Sequence, residues 1–391
     1  AIDWFLDLVE PLGGGFDKII GHEGVLSVAH PYKPVYIEKT GETLERGAGQ
    51  IALLEQIAQE RNIPIYLSCP ARKLIVTDGA VTGVYAESEE GIIQINAKAV
   101  ILACGGFGNN PDMIDGMGRD MSQMSYCGCQ GCTGDALTMA YEAGAGHRGS
   151  LCLMLMGCTL PMPVSLGDHI NQAFRNEPYQ LWVNGDGRRF VTEDIPVMTQ
   201  IANAMDLQAA TWSIMDDATV DFYQTYHTIK GSGTFIVAGS VLDQTRAGLE
   251  EMLVSKPEYV VKGDTLEELA EKIGCDAAAL KATVDRYNEL CDGGEDLDYG
   301  KPGKYLRKIA TPPFYAGRLV TNLLTTDGGV HIDEDSRVID VDGNVIPGLF
   351  LAGTDADGFC GETYGVNLPG SAQGMGLTFG RIAAKNACAD L

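Results

Sequence analysis

Val100-Ile101-Leu102-Ala103-Cys104-Gly105-Gly106-Phe107-Gly108 decides how this chain reads. Residues 100–103 form an unbroken apolar run, the pattern of a strand covered on both faces. The run stops at two consecutive glycines. Glycine at a strand end lets another backbone or a ligand come close, because no Cβ intervenes. A second stretch repeats the arrangement: Leu349-Phe350-Leu351-Ala352 runs into Gly353-Thr354-Asp355. Open α/β sheets bind ligands outside the carboxyl ends of their strands. Further on, Asn367-Leu368-Pro369-Gly370-Ser371-Ala372-Gln373-Gly374 leads into a helix expected over 374–388. The start of that helix offers unpaired N–H groups and a positive dipole end, suited to a phosphate or another electron-rich group.

Outward from these turns the texture is α/β. Leu53, Leu54, Ile57 and Ala58 repeat at helical spacing within 49–61. Residues 63–67 read as a short strand. Residues 73–76 and 81–86 flank Asp78-Gly79 as a hairpin, which 92–95 extends. A helix is expected over 135–145. From about 151 to 317 the chain turns richer in Met, Asn, Gln and loops. Within that region 265–273 and 276–290 read as an antiparallel helix pair capped by Asp264 and Asp276. The simplest arrangement is one α/β domain built from 1–150 and 318–391, with 151–317 inserted as a second, α+β domain. Ala1-Ile2-Asp3-Trp4-Phe5-Leu6 reads as the middle of a helix, so a preceding segment is expected and the compartment is not readable.

With 391 residues the chain is long enough for two packed domains. Its formal net charge of −25 argues against nucleic acid, which demands concentrated Lys and Arg. No apolar run reaches the roughly 20 residues that span a bilayer. Eleven cysteines, an odd number, do not read as a disulfide scaffold at this length. Gly144-Ala145-Gly146-His147-Arg148-Gly149 matches G-x-G-x-x-G, yet it closes a helix instead of opening one, so a helix C-cap is the better reading. Cys127, Cys129 and Cys132 crowd one loop without paired C-x-x-C spacing; a thiol-rich loop near the site is preferred to a metal, and no metal is expected.

Five segments, in order, resemble the flavoproteins of the fumarate reductase/succinate dehydrogenase family. Residues 101–110 are similar to its second FAD-contact segment, and Thr133-Gly134-Asp135-Ala136 to its next helix start. Residues 183–193, Val-Asn-Gly-Asp-Gly-Arg-Arg-Phe-Val-Thr-Glu, resemble its clamp-domain signature. Residues 346–353 and 379–384 resemble its C-terminal FAD segment. The resemblance implies a Rossmann-like FAD-binding domain, with its G-x-G-x-x-G unit expected before Ala1, and a clamp domain that covers the substrate. It implies FAD contacts at Ala71, Ala103, Cys104, Gly105, Gly106, Asp135, Gly353, Thr354, Asp355, Gly370, Ser371 and Ala372. Substrate contacts are expected at Leu368, Met198 and Thr325.

The active site departs from the family. Where its acid arginine follows R-F-x-x-E, Glu193 is followed by Asp194-Ile195-Pro196-Val197-Met198. Leu368 replaces its carboxylate-binding arginine, and no histidine precedes Thr325-Thr326-Asp327-Gly328-Gly329. Losing these cations removes a bidentate carboxylate clamp, so a C4-dicarboxylate is not the expected substrate. An enone, a steroid-like ring system or another unsaturated compound is. Tyr364 is the candidate proton donor, against a bland reading in which its hydroxyl is satisfied locally. Arg175 is the candidate for a proton path, against a surface ion pair. Arg188 and Arg189 are expected to order the clamp. The expected function is an FAD-dependent reductase or dehydrogenase acting on CH–CH groups, fed by a flavin- or cytochrome-type electron donor. The rival is a chain that keeps the fold without retaining FAD.

Overall fold

The computed structural model describes residues 1–17, 20–21, 28–29, 32–195, 198–231, 235–361, 363–365 and 370–389. Along the chain, helices α1 (Ile2–Val9) and α2 (Arg46–Glu60) are followed by strands β1 (Ala71–Thr77), β2 (Ala80–Ser88), β3 (Gly91–Asn96) and β4 (Val100–Leu102). After β5 (Met124–Tyr126) and α3 (Asp135–Glu142) comes a long strand, β6 (His147–Thr159), then α4 (His169–Arg175), β7 (Leu181–Asn184), α5 (Met198–Asp206), β8 (Thr211–Asp216) and β9 (Val260–Gly263). Helices α6 (Leu266–Ile273) and α7 (Ala277–Gly293) precede β10 (Phe314–Val330), β11 (Arg337–Ile339), β12 (Val345–Leu351) and α8 (Ser371–Ala389).

The β1–β2 hairpin forms as its turn chemistry requires. Asp78 and Gly79 both take positive φ, 51° and 80°, which Asp tolerates and Gly prefers. The two strands that end in glycine turns are parallel neighbours, in the order β11-β12-β4, with Leu351 opposite Leu102. Both carboxyl ends therefore face the same edge. Leu349 and Leu351 are fully buried, whereas Ile101 on β4 is 39% exposed. The reading of residues 100–103 as a strand covered on both faces is thus corrected. β4 is the edge strand of its described sheet, and an edge strand leaves part of its surface uncovered.

Three further expectations change. Residues 63–67 form no strand; Ile63, Ile65 and Leu67 are 53%, 48% and 81% exposed, because no described strand lies alongside to pair with them. The cap of α6 is Thr265, not Asp264. The Thr265 hydroxyl accepts the Glu268 N–H at 3.2 Å while the Glu268 carboxylate accepts the Asp264 N–H at 2.8 Å, a reciprocal cap shifted by one residue. The middle region is less loop-rich than its composition indicates. Its six-stranded sheet is organised by β10, which pairs with β6, β8, β9 and β5. Asp276 does cap α7, at 2.6 Å from the Ala279 N–H. The glycine run 144–149 follows α3, with Gly144 at φ 93°, as a C-terminal stop does.

Three large apolar clusters fill the molecule. One joins Leu74, Phe107, Leu137, Leu323 and Leu349; two others lie within 158–319, around Phe174 and Trp182 and around Leu181 and Leu280. Strands β6 and β10 run from the first cluster into the others, so residues at their middle stand between the two parts of the fold. Among the described residues no helix is long and apolar enough to cross a membrane.

Candidate active site

The two glycine turns are locked to each other. The Asp355 carboxylate accepts the N–H of Gly105 at 2.8 Å and of Gly106 at 3.0 Å, and the Ala352 N–H reaches the Leu102 carbonyl at 2.9 Å. Gly105 and Gly106 have φ near 85°. A Cβ on Gly106 would stand 2.3 Å from the Thr326 hydroxyl oxygen, which itself accepts the Phe107 N–H at 2.9 Å. Only glycine fits there. Burial raises the Asp355 carboxyl to about 6, although backbone N–H groups oppose the shift.

In front of these turns the surface is open. A Cβ at Gly353, Gly370 or Gly374 would meet no atom within 4 Å. Thr354 is half-buried between Gly353 and Asp355, and its carbonyl accepts the Gly328 N–H at 3.0 Å. Ser371 and Ala372 open α8, where the Tyr364 hydroxyl shares a hydrogen with Ser371 Oγ at 2.8 Å and accepts the Ala372 N–H at 3.1 Å. Burial raises the Tyr364 phenol, so it stays protonated at neutral pH. Asp135, in the first turn of α3, accepts the Thr133 hydroxyl at 3.0 Å. Ala103 continues β4 and Cys104 follows it; burial first, then Asp355, pushes that thiol up to about 11. Ala71 starts β1 and packs on the first core. The structure thus joins 103–106 to 353–355 through Asp355, and joins Tyr364 to Ser371 and Ala372 at the start of α8. The open glycine surface suits the close approach of a flat group, and the positive end of α8 suits an electron-rich one.

Arg175 departs from expectation. It ends α4 with 3% exposure, and its Nε and Nη1 atoms have no hydrogen-bond partner among the described residues. The surface ion pair is therefore ruled out as its setting. Burial lowers its pKa, opposed among the described residues by the thiols of Cys158 and Cys127. Cys127 also meets Asn322 of β10, a fully buried amide whose Oδ1 and Nδ2 lack partners among the described residues. Asp327, further along β10, is buried with both oxygens unpartnered in the same sense, and burial raises its carboxyl. Thr325 is half-buried, its hydroxyl turned to the Thr326 carbonyl at 3.1 Å. Leu368 lies outside the described residues, and for Met198 only the backbone, at the start of α5, is described. Asn322 and Asp327 were missed by sequence reasoning. No strand was expected over 318–327, so the sequence offered no burial signal for either side chain.

Arg189 contrasts with Arg175. It meets Glu193 at 3.0 and 2.8 Å and Asp296 at 2.7 Å, and Lys301 adds a 3.2 Å contact to Glu193. Every one of these groups is nearly or fully buried. The clamp-like signature is thus a closed charge network that ties β7, the 296–301 turn and α7 together.

A parallel strand pair whose two glycine turns are locked together, with an open glycine surface before them, is the arrangement by which α/β proteins take up a nucleotide cofactor. Comparison places it further: the chain belongs to the FAD binding domain family, which matches residues 20–372. It is a flavoprotein of the oxidoreductase class, with FAD as the family's cofactor. It is 32% identical over 372 residues to the vinyl phenol reductase of Lactiplantibacillus plantarum, covering 91% of this chain and 75% of that protein. It is 30% identical over 390 residues to a 3-oxosteroid 1-dehydrogenase of Mycobacterium tuberculosis, covering 90% and 65%. The open conformation of a flavocytochrome c3 fumarate reductase superposes with a TM-score of 0.70 at 26% identity, covering 99% of this chain and 62% of that one.

Proposed function

We propose that this chain is an FAD-dependent reductase or dehydrogenase for a C=C bond conjugated to a single oxygen-bearing group, such as an enone, a steroid-like ring or a vinyl phenol. The observation that carries this reading is Arg175: a buried guanidinium with no counter-ion among the described residues, which shares the Cys127 thiol as a neighbour with the buried amide of Asn322. A buried cation without a counter-ion is costly unless a ligand supplies the negative charge. One guanidinium and one amide suit a single carbonyl or phenolate oxygen. They do not suit two carboxylates, which fits the replacement of the family's other cations by Leu368 and by residues 194–198.

In this reading residues 103–106, 353–355 and 370–372, with Ala71 and Asp135, hold FAD, and residues 151–317 cover the substrate. FAD supplies the hydride exchange when bound. Arg175 and Asn322 bind the conjugated oxygen and stabilise charge that develops on it. The Tyr364 hydroxyl, oriented by Ala372 N–H and kept protonated by burial, is the proton donor to the second carbon. Electrons arrive from a separate flavin- or cytochrome-type donor, and the charge of −25 favours a basic partner.

The test is a purified protein mixed with FAD, its visible spectrum recorded, and its turnover of 4-vinylphenol, an enone and fumarate measured with a reduced viologen donor. Yellow protein that reduces the first two and spares fumarate supports the proposal. Colourless protein after FAD addition supports the rival chain without cofactor, and preference for fumarate overturns the substrate assignment. Tyr364→Phe is expected to lower kcat by roughly 10²-fold, and an unchanged kcat removes Tyr364 from the chemistry.

A further inference from the structure

Cys152, Asp327 and Cys360 converge from three separate stretches, and their sulfur and carboxylate atoms all lie within 4.8 Å of one another. We propose that these three side chains bind a thiophilic divalent cation, zinc by preference.

The convergence is built by the backbone. Cys152 and Asp327 are directly opposite residues of the antiparallel β6–β10 ladder. Between Arg148 and Cys152 the ladder shifts register, two more residues being spent on β6 than on β10. Such a bulge re-aims the side chains that follow it. Cys360 arrives on the stretch after β12. That stretch is fastened to β10 by the Val330 N–H to the Asp355 carbonyl at 3.0 Å and by the Asp357 N–H to the Val330 carbonyl at 2.9 Å.

The chemistry of the set points to a ligand. Cys152 and Asp327 are 2% and 1% exposed. Both Asp327 oxygens are buried and make no hydrogen bond of good geometry among the described residues, with the Cys360 thiol and the Gly328 N–H standing close by. No Lys, Arg or His pairs with Asp327 among the ion pairs of the described residues; only the Cys360 thiol and the Gly328 N–H favour its charged form, against the burial that opposes it. Two thiols and one carboxylate are a soft donor set that selects zinc over calcium or magnesium. Closing the ligand atoms around an ion needs a contraction of about 1 Å, toward metal–ligand bonds of roughly 2.0–2.3 Å. Three protein ligands leave a fourth tetrahedral position open. The bound ion would fasten the stretch that carries Cys360 and Tyr364 to β10. The crowded loop of Cys127, Cys129 and Cys132 forms no comparable set among the described residues.

The experiment uses the full chain with FAD under an oxygen-free, thiol-reducing buffer, and zinc alone as the probe. Equilibrium dialysis is expected to give one zinc per chain. Cys360→Ser, at a half-exposed position, is expected to weaken uptake by roughly a hundredfold, and Asp327→Asn to weaken it similarly. Cys388→Ser, on the exposed end of α8, is expected to leave it unchanged. X-ray absorption at the zinc edge of the unsubstituted protein, which requires no variant to fold, is expected to show two sulfur ligands with oxygen completing the shell. No stoichiometric uptake, uptake unaffected by Cys360→Ser, uptake abolished instead by Cys129→Ser, or a shell with fewer than two sulfurs would each overturn the proposal.

Discussion

Arg189 and Arg175 stand in the same region of the molecule, both almost sealed from water, and have opposite surroundings. Arg189 is met by Glu193 and Asp296, with Lys301 completing the network. Arg175 has the thiols of Cys158 and Cys127 as its ionisable neighbours among the described residues, and two of its nitrogens have no partner there. A buried charge with its counter-ions in place belongs to the architecture. A buried charge without them is a strain that folding alone does not justify. The difference separates groups that hold the fold from groups set aside for a ligand, without reference to any relative.

The largest effect should come from breaking the closed network. Arg189→Ala leaves Glu193 with Lys301 as its cation and Asp296 with backbone N–H donors alone, and removing one partner of a buried ion pair costs about 3–5 kcal/mol. Urea unfolding should show that loss; a change under about 1 kcal/mol would mean that Arg189 is no more structural than Arg175.

Asp355 lies between the two extremes, a buried carboxylate given N–H partners but no cation. Its pKa rises from 3.8 to about 6 on folding, so the folded chain binds the extra proton between those values. Its contribution to stability is therefore fullest below pH 4 and falls as pH rises toward 6, by up to about 3 kcal/mol over the two units. Cys104, Asp135 and Cys132 share its surroundings, so the comparison to make is with Asp355→Asn. The difference in unfolding free energy between the two proteins, followed from pH 4 to pH 7, should carry that slope, and parallel curves would show that Asp355 does not titrate in this window.

Arg175→Met addresses the open side of the comparison. Rate and stability should separate: kcat/KM falls by roughly 10²-fold, about 2.7 kcal/mol of transition-state stabilisation, while unfolding free energy stays level or rises because an unpaired charge is gone. If stability falls as it does for Arg189→Ala, Arg175 is part of the scaffold and the contrast fails.

These two surroundings were unequally legible in the sequence. The glycine turns at 105–106 and 353 could be read because strand-end glycines answer a local steric need, and the 71–88 hairpin because Asp78-Gly79 encodes its own turn. The expectation that Arg189 orders its region came from the resemblance of residues 183–193 to the clamp-domain signature, not from any local rule. Arg175 read as a surface residue because helix α4 alone does not reveal what packs over it. Asn322 and Asp327 were invisible for the same reason: β10 becomes buried only through partners distant in sequence, from β5 to β9. The strand expected at 63–67 failed in the other direction, since its apolar pattern calls for a neighbour that no described residue provides. Local chemistry was legible, and long-range burial was not.

The smallest effect is the most discriminating. Asn322 buries an amide that makes no hydrogen bond of good geometry among the described residues, the Cys127 thiol being its polar neighbour, at a cost of roughly 1–3 kcal/mol relative to an apolar side chain of similar size. Asn322→Leu keeps the volume and removes that cost, so the free chain should gain about 1 kcal/mol in urea unfolding. The same substitution removes one of the two groups assigned to the substrate oxygen, so KM for an enone should rise several-fold, whereas FAD affinity stays the same because 103–106 and 353–355 are untouched. Stabilisation together with weaker substrate binding is what a residue kept for a ligand must show. A loss of stability would mean that the amide is satisfied in the folded chain, and Asn322 would then belong beside Arg189 on the structural side of the comparison.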